Sequence, residues 1–495
     1  MTQHSLRGAF SLGALSIALL TTVPLAAQQA KPASFDRRSI PTPGKTPELH
    51  VPTWTKATLS NGAQLIVSEK HGLPLISFQI NFVGGANQYE PADKTGLSSF
   101  VASMLTEGTT HRTGDQLSND LQLLGTAVNT SISGESGRMW LLATKDKFAP
   151  TLAILADILE NPTFPADALE RLRSRAIVSL TQNRDRTAGI AGNVFPKLLY
   201  ATAHPYGRVM TEATVNAITR DDVLSFYKEY FKPAHAVITV VGDITADEAK
   251  QTIENGLAGW QAGGSPPSFN YPAPPSPKAT TIYLVDKPGA AQSTFAIGEV
   301  GPPRDTPDYF ALRVMNEMLG ELFQSRLNHN IREVKGYSYG VSSRYAFGRG
   351  PGAFRAGGDV VTAKSDSALI EFMKELRDIR GPRPPTDDEL GQAKASLVQS
   401  LPENFASVNG INGSIASIYT QGLPEDYYQQ FAKAVNAVTQ DDVVRVAQKY
   451  IDPDHLAILI VGDRAKIEGP LAATTIAPIV VLDLDGNPVA SKVQP

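Results

Sequence analysis

Between Leu75 and Val83 the chain alternates apolar and polar residues with a period of two, which predicts a strand with one buried face. Ala63 to Val67 predicts a shorter strand, entered through the turn residues Thr58 to Gly62. From Gly96 to Leu105 and from Gln116 to Leu124 the apolar spacing lengthens to that of a helix, and Gly125 ends the second one. A strand over 138–144 and helices over 147–159 and 166–184 follow. The stretch Leu322 to Tyr345 changes period within itself. Leu322, Phe323, Leu327 and Ile331 recur at helical spacing, and Lys335-Gly336 then supplies a last-turn cation and a residue at ease in the left-handed conformation. After that stop, Tyr337, Tyr339 and Val341 alternate with Ser338, Gly340 and Ser342, as in a strand. Arg332 therefore falls in a last helical turn, and Tyr339 falls early in the strand that leaves it.

Side chains on the two sides of one turn can converge. A guanidinium and a phenol both donate hydrogen bonds at neutral pH, and together they can hold a carbonyl oxygen or a developing oxyanion. Both residues also have a purely structural account. A cation near a helix C-terminus is favoured by the macrodipole, and Tyr is an ordinary strand residue.

The pattern of Val215 to Asp243, VNAITRDDVLSFYKEYFKPAHAVITVVGD, returns without a gap at Val435 to Asp463, VNAVTQDDVVRVAQKYIDPDHLAILIVGD. Each copy has a Thr followed by two Asp, an amphipathic run, a Pro turn, a His and an apolar strand ending in Gly-Asp, so the chain is read as an internal duplication. His235 and His455 fill equivalent strand-start positions and read as structural. Residues 261–280, rich in Pro, Gly and Ser, predict an extended linker between the halves. The plan is thus a leader at 1–27, a linker at 28–53, a first half at 54–260, the Pro-rich linker at 261–280, a second half at 281–463 and a tail at 464–495.

A length of 495 residues exceeds what one core organises. The 45 basic and 49 acidic residues are spread evenly, for a net charge of −4, and no basic run marks a nucleic-acid partner. The absence of cysteine excludes disulfides, thiolate metal sites and Cys nucleophiles. Arg7, the apolar run from Ala9 to Ala27 and the small pair Ala26-Ala27 read as a secretory signal, with Pro24 and Gln28-Gln29 arguing against an uncleaved anchor. The expected location is periplasmic or secreted after cleavage, with no stable membrane insertion.

Two homologous halves, Gly96-Leu97 before a helix, HPYGR at His204–Arg208, SRL at Ser325–Leu327 and R-x6-Y at Arg332–Tyr339 together resemble the insulinase/pitrilysin family. These are inverted-motif zinc peptidases that include the mitochondrial processing peptidase. The resemblance covers about Trp54 to Asp463. It implies an α+β fold of two homologous halves, each of two α/β subdomains with helices on a mostly antiparallel sheet, forming a clamshell. Peptide-cutting members carry H-x-x-E-H, in which two His bind zinc, the Glu acts as general base and a later Glu completes the site. In the matching stretch, Thr95 to Leu105, Ser99 and Ser103 stand at the ligand positions and Ala102 at the general base, while Ser179 stands at the later Glu. A neutral hydroxyl is a poor zinc ligand and Ala accepts no proton. No two of the eight His are spaced at i, i+3 or i, i+4, and Gly108 to Thr110 break the helix between Glu107 and His111. No metal is expected in this chain.

The resemblance also implies that Arg332 and Tyr339 reach bound substrate backbone from the half opposite the zinc. Asn129, within Ala127 to Ser131, resembles the edge strand on which members lay out substrate. The expected function is that of the non-zinc subunit of a heterodimeric periplasmic zinc metallopeptidase, inactive alone. A homologous H-x-x-E-H chain would carry the zinc, and unstructured peptides would be the substrate. The alternative is a catalytically inactive scaffold or peptide-binding protein of the same fold. A self-sufficient serine hydrolase lacks its G-x-S-x-G elbow.

Overall fold

Threonine caps repeat in the structure as they do in the sequence. The hydroxyl of Thr219 accepts from the backbone N–H of Asp222 at 3.2 Å, and that of Thr439 accepts from Asp442 at 3.1 Å. Each Asp carboxylate returns the bond to the Thr backbone, closing two equivalent capping boxes. The computed structural model describes residues 49–489. The leader at 1–27, residues 28–48 of the first linker and residues 490–495 lie outside the described residues.

The first half builds one six-stranded sheet. Its strands are β1 (Thr55–Thr58), β2 (Gln64–Glu69), β3 (Leu75–Val83), β4 (Asn129–Ile132), β5 (Ser136–Thr144) and β6 (Ala236–Gly242), in the order β1-β2-β6-β3-β5-β4. Only β2 and β6 pair in parallel. The second half repeats this with β7 (Thr281–Asp286), β8 (Gln292–Val300), β9 (Ser338–Tyr345), β10 (Ala353–Val361), β11 (Ala457–Gly462) and β12 (Ile479–Leu482), in the order β12-β7-β11-β8-β10-β9. There β7 runs parallel to both β11 and β12. The fold is α+β with two homologous halves, each organised on a single mostly antiparallel sheet. Strands β4 and β9 occupy equivalent free edges.

Helices of the first half include α1 (Leu97–Met104), α2 (Gly114–Leu123), α3 (Lys145–Glu160), α4 (Ala166–Arg184), α5 (Thr187–Tyr200) and α6 (Arg220–Tyr230). Those of the second include α7 (Tyr309–Asn316), α8 (Asp387–Ser400), α9 (Val408–Gln421), α10 (Gln440–Tyr450) and α11 (Arg464–Ala473). Two of them cross over. Helix α5 packs Ile190, Val194 and Phe195 on the second sheet, in a cluster with Ala296, Leu459 and Val461. Helix α9 packs on β3 and β6, and its Ile411, Ile415 and Ile418 join Ile66, Val237 and Val241 of the first sheet.

This exchange corrects the expectation of a half-buried β3. Ser77, Gln79 and Asn81, the polar side of the alternation, are buried because α9 covers that face. Asn412 of α9 meets Ser77 there: its Nδ2 donates to Ser77 O at 2.8 Å, Ser77 Oγ at 3.0 Å and Thr239 O at 3.2 Å. The Thr239 hydroxyl donates to Asn412 Oδ1 and accepts from Asn81 Nδ2 at 3.0 Å. A closed polar network of this kind is stable only when every member has a partner. The two sheets accordingly belong to one compact unit.

The expected tail is also corrected. Arg464 to Leu482 supplies α11 and the edge strand β12, whose Ile479 to Leu482 pair with β7. The reason is pairing: β7 has a free flank that a short apolar segment can cover. Residues 261–280 contain no helix or strand. Among the described residues no helix is long and apolar enough to cross a membrane.

Candidate functional site

The Arg332 segment is more broken than its periodicity predicts. Helix α7 ends in a wide turn, Glu317–Glu321, in which Leu322 N bonds Glu317 O at 3.1 Å. Leu322 is extended (ψ 148°) and Ser325 starts a new short helix, Arg326–Asn328, which opens into a second wide segment, His329–Val334. Leu327 and Ile331 are buried as expected, but Leu322 and Phe323 sit in the break, and Phe323 is 60% exposed. The cause is contact with β9. A Cβ on Gly320 would lie 2.2 Å from Ser343 N, so only glycine lets the helix end approach the strand this closely. Asn316 Nδ2 donates to Ser343 O at 3.1 Å and its Oδ1 accepts from the Ser343 hydroxyl at 2.7 Å. Lys335 and Gly336, the latter at φ +66°, stop the helix where the sequence places the stop.

Asn328 and Arg326 fix this break. The Asn328 amide donates to Phe323 O at 2.7 Å and accepts from Val341 N at 3.2 Å, tying the Phe323 turn to β9. Arg326, almost fully buried, makes two 2.7 Å bonds to the Glu389 carboxylate and caps two carbonyls, at Arg383 and Pro384. The SRL motif is therefore structural at its Arg.

Tyr339 is the extra residue of a β-bulge. Opposite it on β10, Asp359 pairs with Gly340 and Val360 with Ser338, so Tyr339 has no ladder partner. A bulge re-aims the side chain it carries, and Tyr339 is 86% exposed. The Arg332 guanidinium carbon lies 5.0 Å from the Tyr339 ring centroid and 4.4 Å from that of Phe323, so the cation is held against both rings. Its Nε meets Glu333 Oε1 at 3.0 Å. Among the described residues the Arg332 Nη groups and the Tyr339 hydroxyl have no hydrogen-bond partner. The structure thus brings Arg332 and Tyr339 together with donors to spare, and adds Phe323, which the sequence placed on a helix face. These donors suit a carbonyl oxygen or an oxyanion. The adjoining edge of β9 can pair an extended peptide through its backbone.

Asn129 opens β4, the edge of the first sheet, and its side chain is exposed. It shares with Tyr339 the property of standing on a free edge. Ser99 and Ser103 lie one turn apart on the exposed side of α1, and Ala102 is buried. The Ser99 hydroxyl donates to Gly96 O at 2.7 Å. Ser179 is exposed on α4, which packs beside α1. Two hydroxyls and a methyl do not fit zinc, which takes imidazole, thiolate or carboxylate. Among the described residues no three His, Cys, Asp or Glu gather to hold an ion. His111 instead meets Asp157 Oδ1 at 2.6 Å, and Glu107 meets Arg171 at 2.6 Å.

Two acidic features were missed. Glu317 and Glu321, four residues apart, face each other across the first wide turn. Burial pushes the Glu321 carboxyl up to about 7, Glu317 adds to this and Arg313 opposes it. The spacing was visible in the sequence, but nothing local marked Glu317 as buried. Glu135, in the β4–β5 turn, accepts from the Tyr206 and Tyr271 hydroxyls and from Arg349 N at 2.8 Å. It latches HPYGR and the Pro-rich linker of one side to the β9–β10 loop of the other.

Residues 79–204 match the family described as insulinase (peptidase family M16), and residues 217–397 match its peptidase M16 inactive domain. The "uncharacterized zinc protease YmxG" of Bacillus subtilis is 22% identical over 408 residues, covering 81% of this chain and 97% of that one. The "non-peptidase homolog YmxG" of Helicobacter pylori is 22% identical over 409 residues, covering 81% and 92%. A solved peptidase M16 inactive domain from Pseudomonas fluorescens has the same fold, with a TM-score of 0.76 at 24% identity over 83% of this chain and 98% of that one.

Proposed function

The chain belongs to the insulinase family, peptidase family M16, as a member without the zinc motif, and from this we propose that it is the non-zinc subunit of a two-chain peptidase. A homologous H-x-x-E-H chain would be its partner and extended peptides its ligands. The observation that carries this reading is the Phe323–Arg332–Tyr339 stack beside the free edge of β9, whose Arg332 Nη groups and Tyr339 hydroxyl have no partner among the described residues. In that role the Arg332 Nη groups and the Tyr339 hydroxyl bind substrate carbonyls and the charge that develops on one of them, while β9 orders the peptide backbone. Asn129 would steady a second stretch of peptide on β4. The leader-like segment 1–27 supports a periplasmic or secreted location.

A second reading, a peptide-binding or scaffold protein without catalytic assembly, is favoured by the lost ligand positions at Ser99, Ala102 and Ser103 and by the description of the Helicobacter pylori relative. One experiment separates them. Co-express the chain with the secreted H-x-x-E-H homologue from its genome, isolate the complex by size exclusion and assay cleavage of unstructured peptides. The subunit reading expects a stable complex whose turnover exceeds that of either chain alone. Co-elution without any gain in turnover leaves the scaffold reading.

A further inference from the structure

Arg344 on β9 and Arg355 on β10 are directly opposite each other in the antiparallel ladder. Like charges in that relation destabilise a sheet unless something neutralises them. Among the described residues neither makes an ion pair or a hydrogen bond. Two carboxylates lie in the same region, and neither bonds directly to either arginine. Asp359, on the same strand, accepts from the Thr294 hydroxyl at 2.5 Å. Glu135 already takes the Tyr206 and Tyr271 hydroxyls and two backbone N–H groups, of Arg349 and Gly350.

Both guanidinium groups border a cavity of about 460 Å³ between the exchanged helix α5 and the β9–β10 hairpin. The rest of its lining combines the apolar side chains of Phe195, Leu199 and Phe347 with Tyr200, Tyr206 and the hydrogen-bonded Glu135. Arg355 sits 5.6 Å above the Phe195 ring, and burial together with the Arg344 charge pushes its guanidinium down, with Asp359 opposing them. The cavity therefore joins two guanidinium groups that lack a direct hydrogen-bond or ion-pair partner among the described residues to a largely apolar surface, in the size range of small-ligand sites.

We propose that this cavity binds a carboxylate attached to an apolar group, the carboxylate bridging Arg344 and Arg355 while the apolar part lies on α5. The free C-terminus of a short apolar peptide has this chemistry, and so does a medium-chain fatty acid. Arginine forks match carboxylate geometry and gain strength when partly desolvated. The site is complete within this chain and does not depend on the catalytic partnership.

Titration calorimetry on the purified full chain tests it. The probes are N-acetyl Ala-Leu-Phe as the free acid, the same peptide as its C-terminal amide, and octanoate. The free acid is expected to bind at least about tenfold more tightly than the amide, with affinity falling as salt is raised. Octanoate binding as tightly as the peptide acid assigns the site to any apolar carboxylate; weaker binding assigns it to peptide termini. Arg344→Gln and Arg355→Gln should each weaken the acid about tenfold and leave the amide unchanged. Without ligand, Arg355→Gln should melt within about 1 °C of the parent or higher, since it breaks no hydrogen bond or ion pair and the repulsion it relieves offsets the loss of a long contact with Phe195. Equal affinity for acid and amide, no binding of either acid at millimolar concentration, or unaltered binding by both variants would overturn the proposal.

Discussion

The two halves share a strand order, a capping box and an exchanged helix, yet they differ where function would lie. In the first half, α1 runs regularly into its 3₁₀ end and β4 is a plain edge strand. In the second, the equivalent stretch contains two wide turns and a bulge, which together expose Phe323 and Tyr339 and set Arg332 between them. Such one-residue insertions alter a side chain's direction without altering the fold. The first half has a regular helix with Ser99 and Ser103 one turn apart on its exposed side. The second has irregular geometry with its donors intact. Duplication lets one copy keep the frame while the other departs from regular structure.

The largest effect should come from the irregular region. If the proposed two-chain peptidase forms, Arg332→Ala or Tyr339→Phe is expected to lower its peptide cleavage about 10–1000-fold, the range for losing one donor to a developing charge. The melting temperature should barely move, because Tyr339 is exposed. Normal turnover with a lowered melting point would return both residues to a structural role.

Next in size is the joint between the halves. Asn412→Ala leaves buried polar groups of Ser77 and Thr239 without partners and should cost about 2–4 kcal/mol. All three Trp (54, 140 and 260) belong to the first half, and Trp54 also donates to Tyr419 of α9 at 3.0 Å, so their fluorescence reports that half and its joint with α9. Because α9 is shared, fluorescence and far-ultraviolet dichroism should show one coincident unfolding transition in the parent and in the variant. Two separated transitions would mean that the halves fold independently. Phe323→Ala should reduce turnover about fivefold by loosening Arg332, a loss of about 1 kcal/mol of cation–π contact. Phe323→Tyr should restore it; equal turnover by the Ala variant would leave Phe323 without a positioning role.

A smaller effect is set by pH. Burial pushes the Glu299 carboxyl from its ordinary 4.5 up to about 7, with the Asp452 charge adding to it and the Asp452 backbone N–H opposing it. The native state therefore favours the protonated form. Its contribution to stability is whole below pH 4.5 and is lost as pH rises towards 7. The melting temperature of the parent relative to Glu299→Gln should fall between pH 5 and about 7.5; a constant difference would contradict the assignment. The smallest effect is expected in the first half, where Ser99→Ala and Ser103→Ala should each change stability by less than about 0.5 kcal/mol, as exposed substitutions do.

Much of this was encoded locally. The caps at Thr219 and Thr439, the stop at Lys335-Gly336, helix α4 and strand β3 follow from neighbours a few residues apart, and so they could be read from periodicity. The duplication and the missing zinc ligands needed only the order of residues. The proximity of Arg332 and Tyr339 followed from one turn, although the reason for Tyr339's exposure, the bulge, did not. What only the tertiary structure decided depends on groups distant in sequence. The polar side of β3 is buried because α9, far along the chain, covers it and its Asn412 bonds Ser77. The supposed tail becomes β12 because β7 offers it a free edge. Phe323 leaves its helix because Gly320 and Asn316 meet Ser343. Arg344 and Arg355 face each other only through strand register. Local propensity fixes turns and periods, whereas pairing, coverage and burial are set by long-range contacts that no window of a few residues contains.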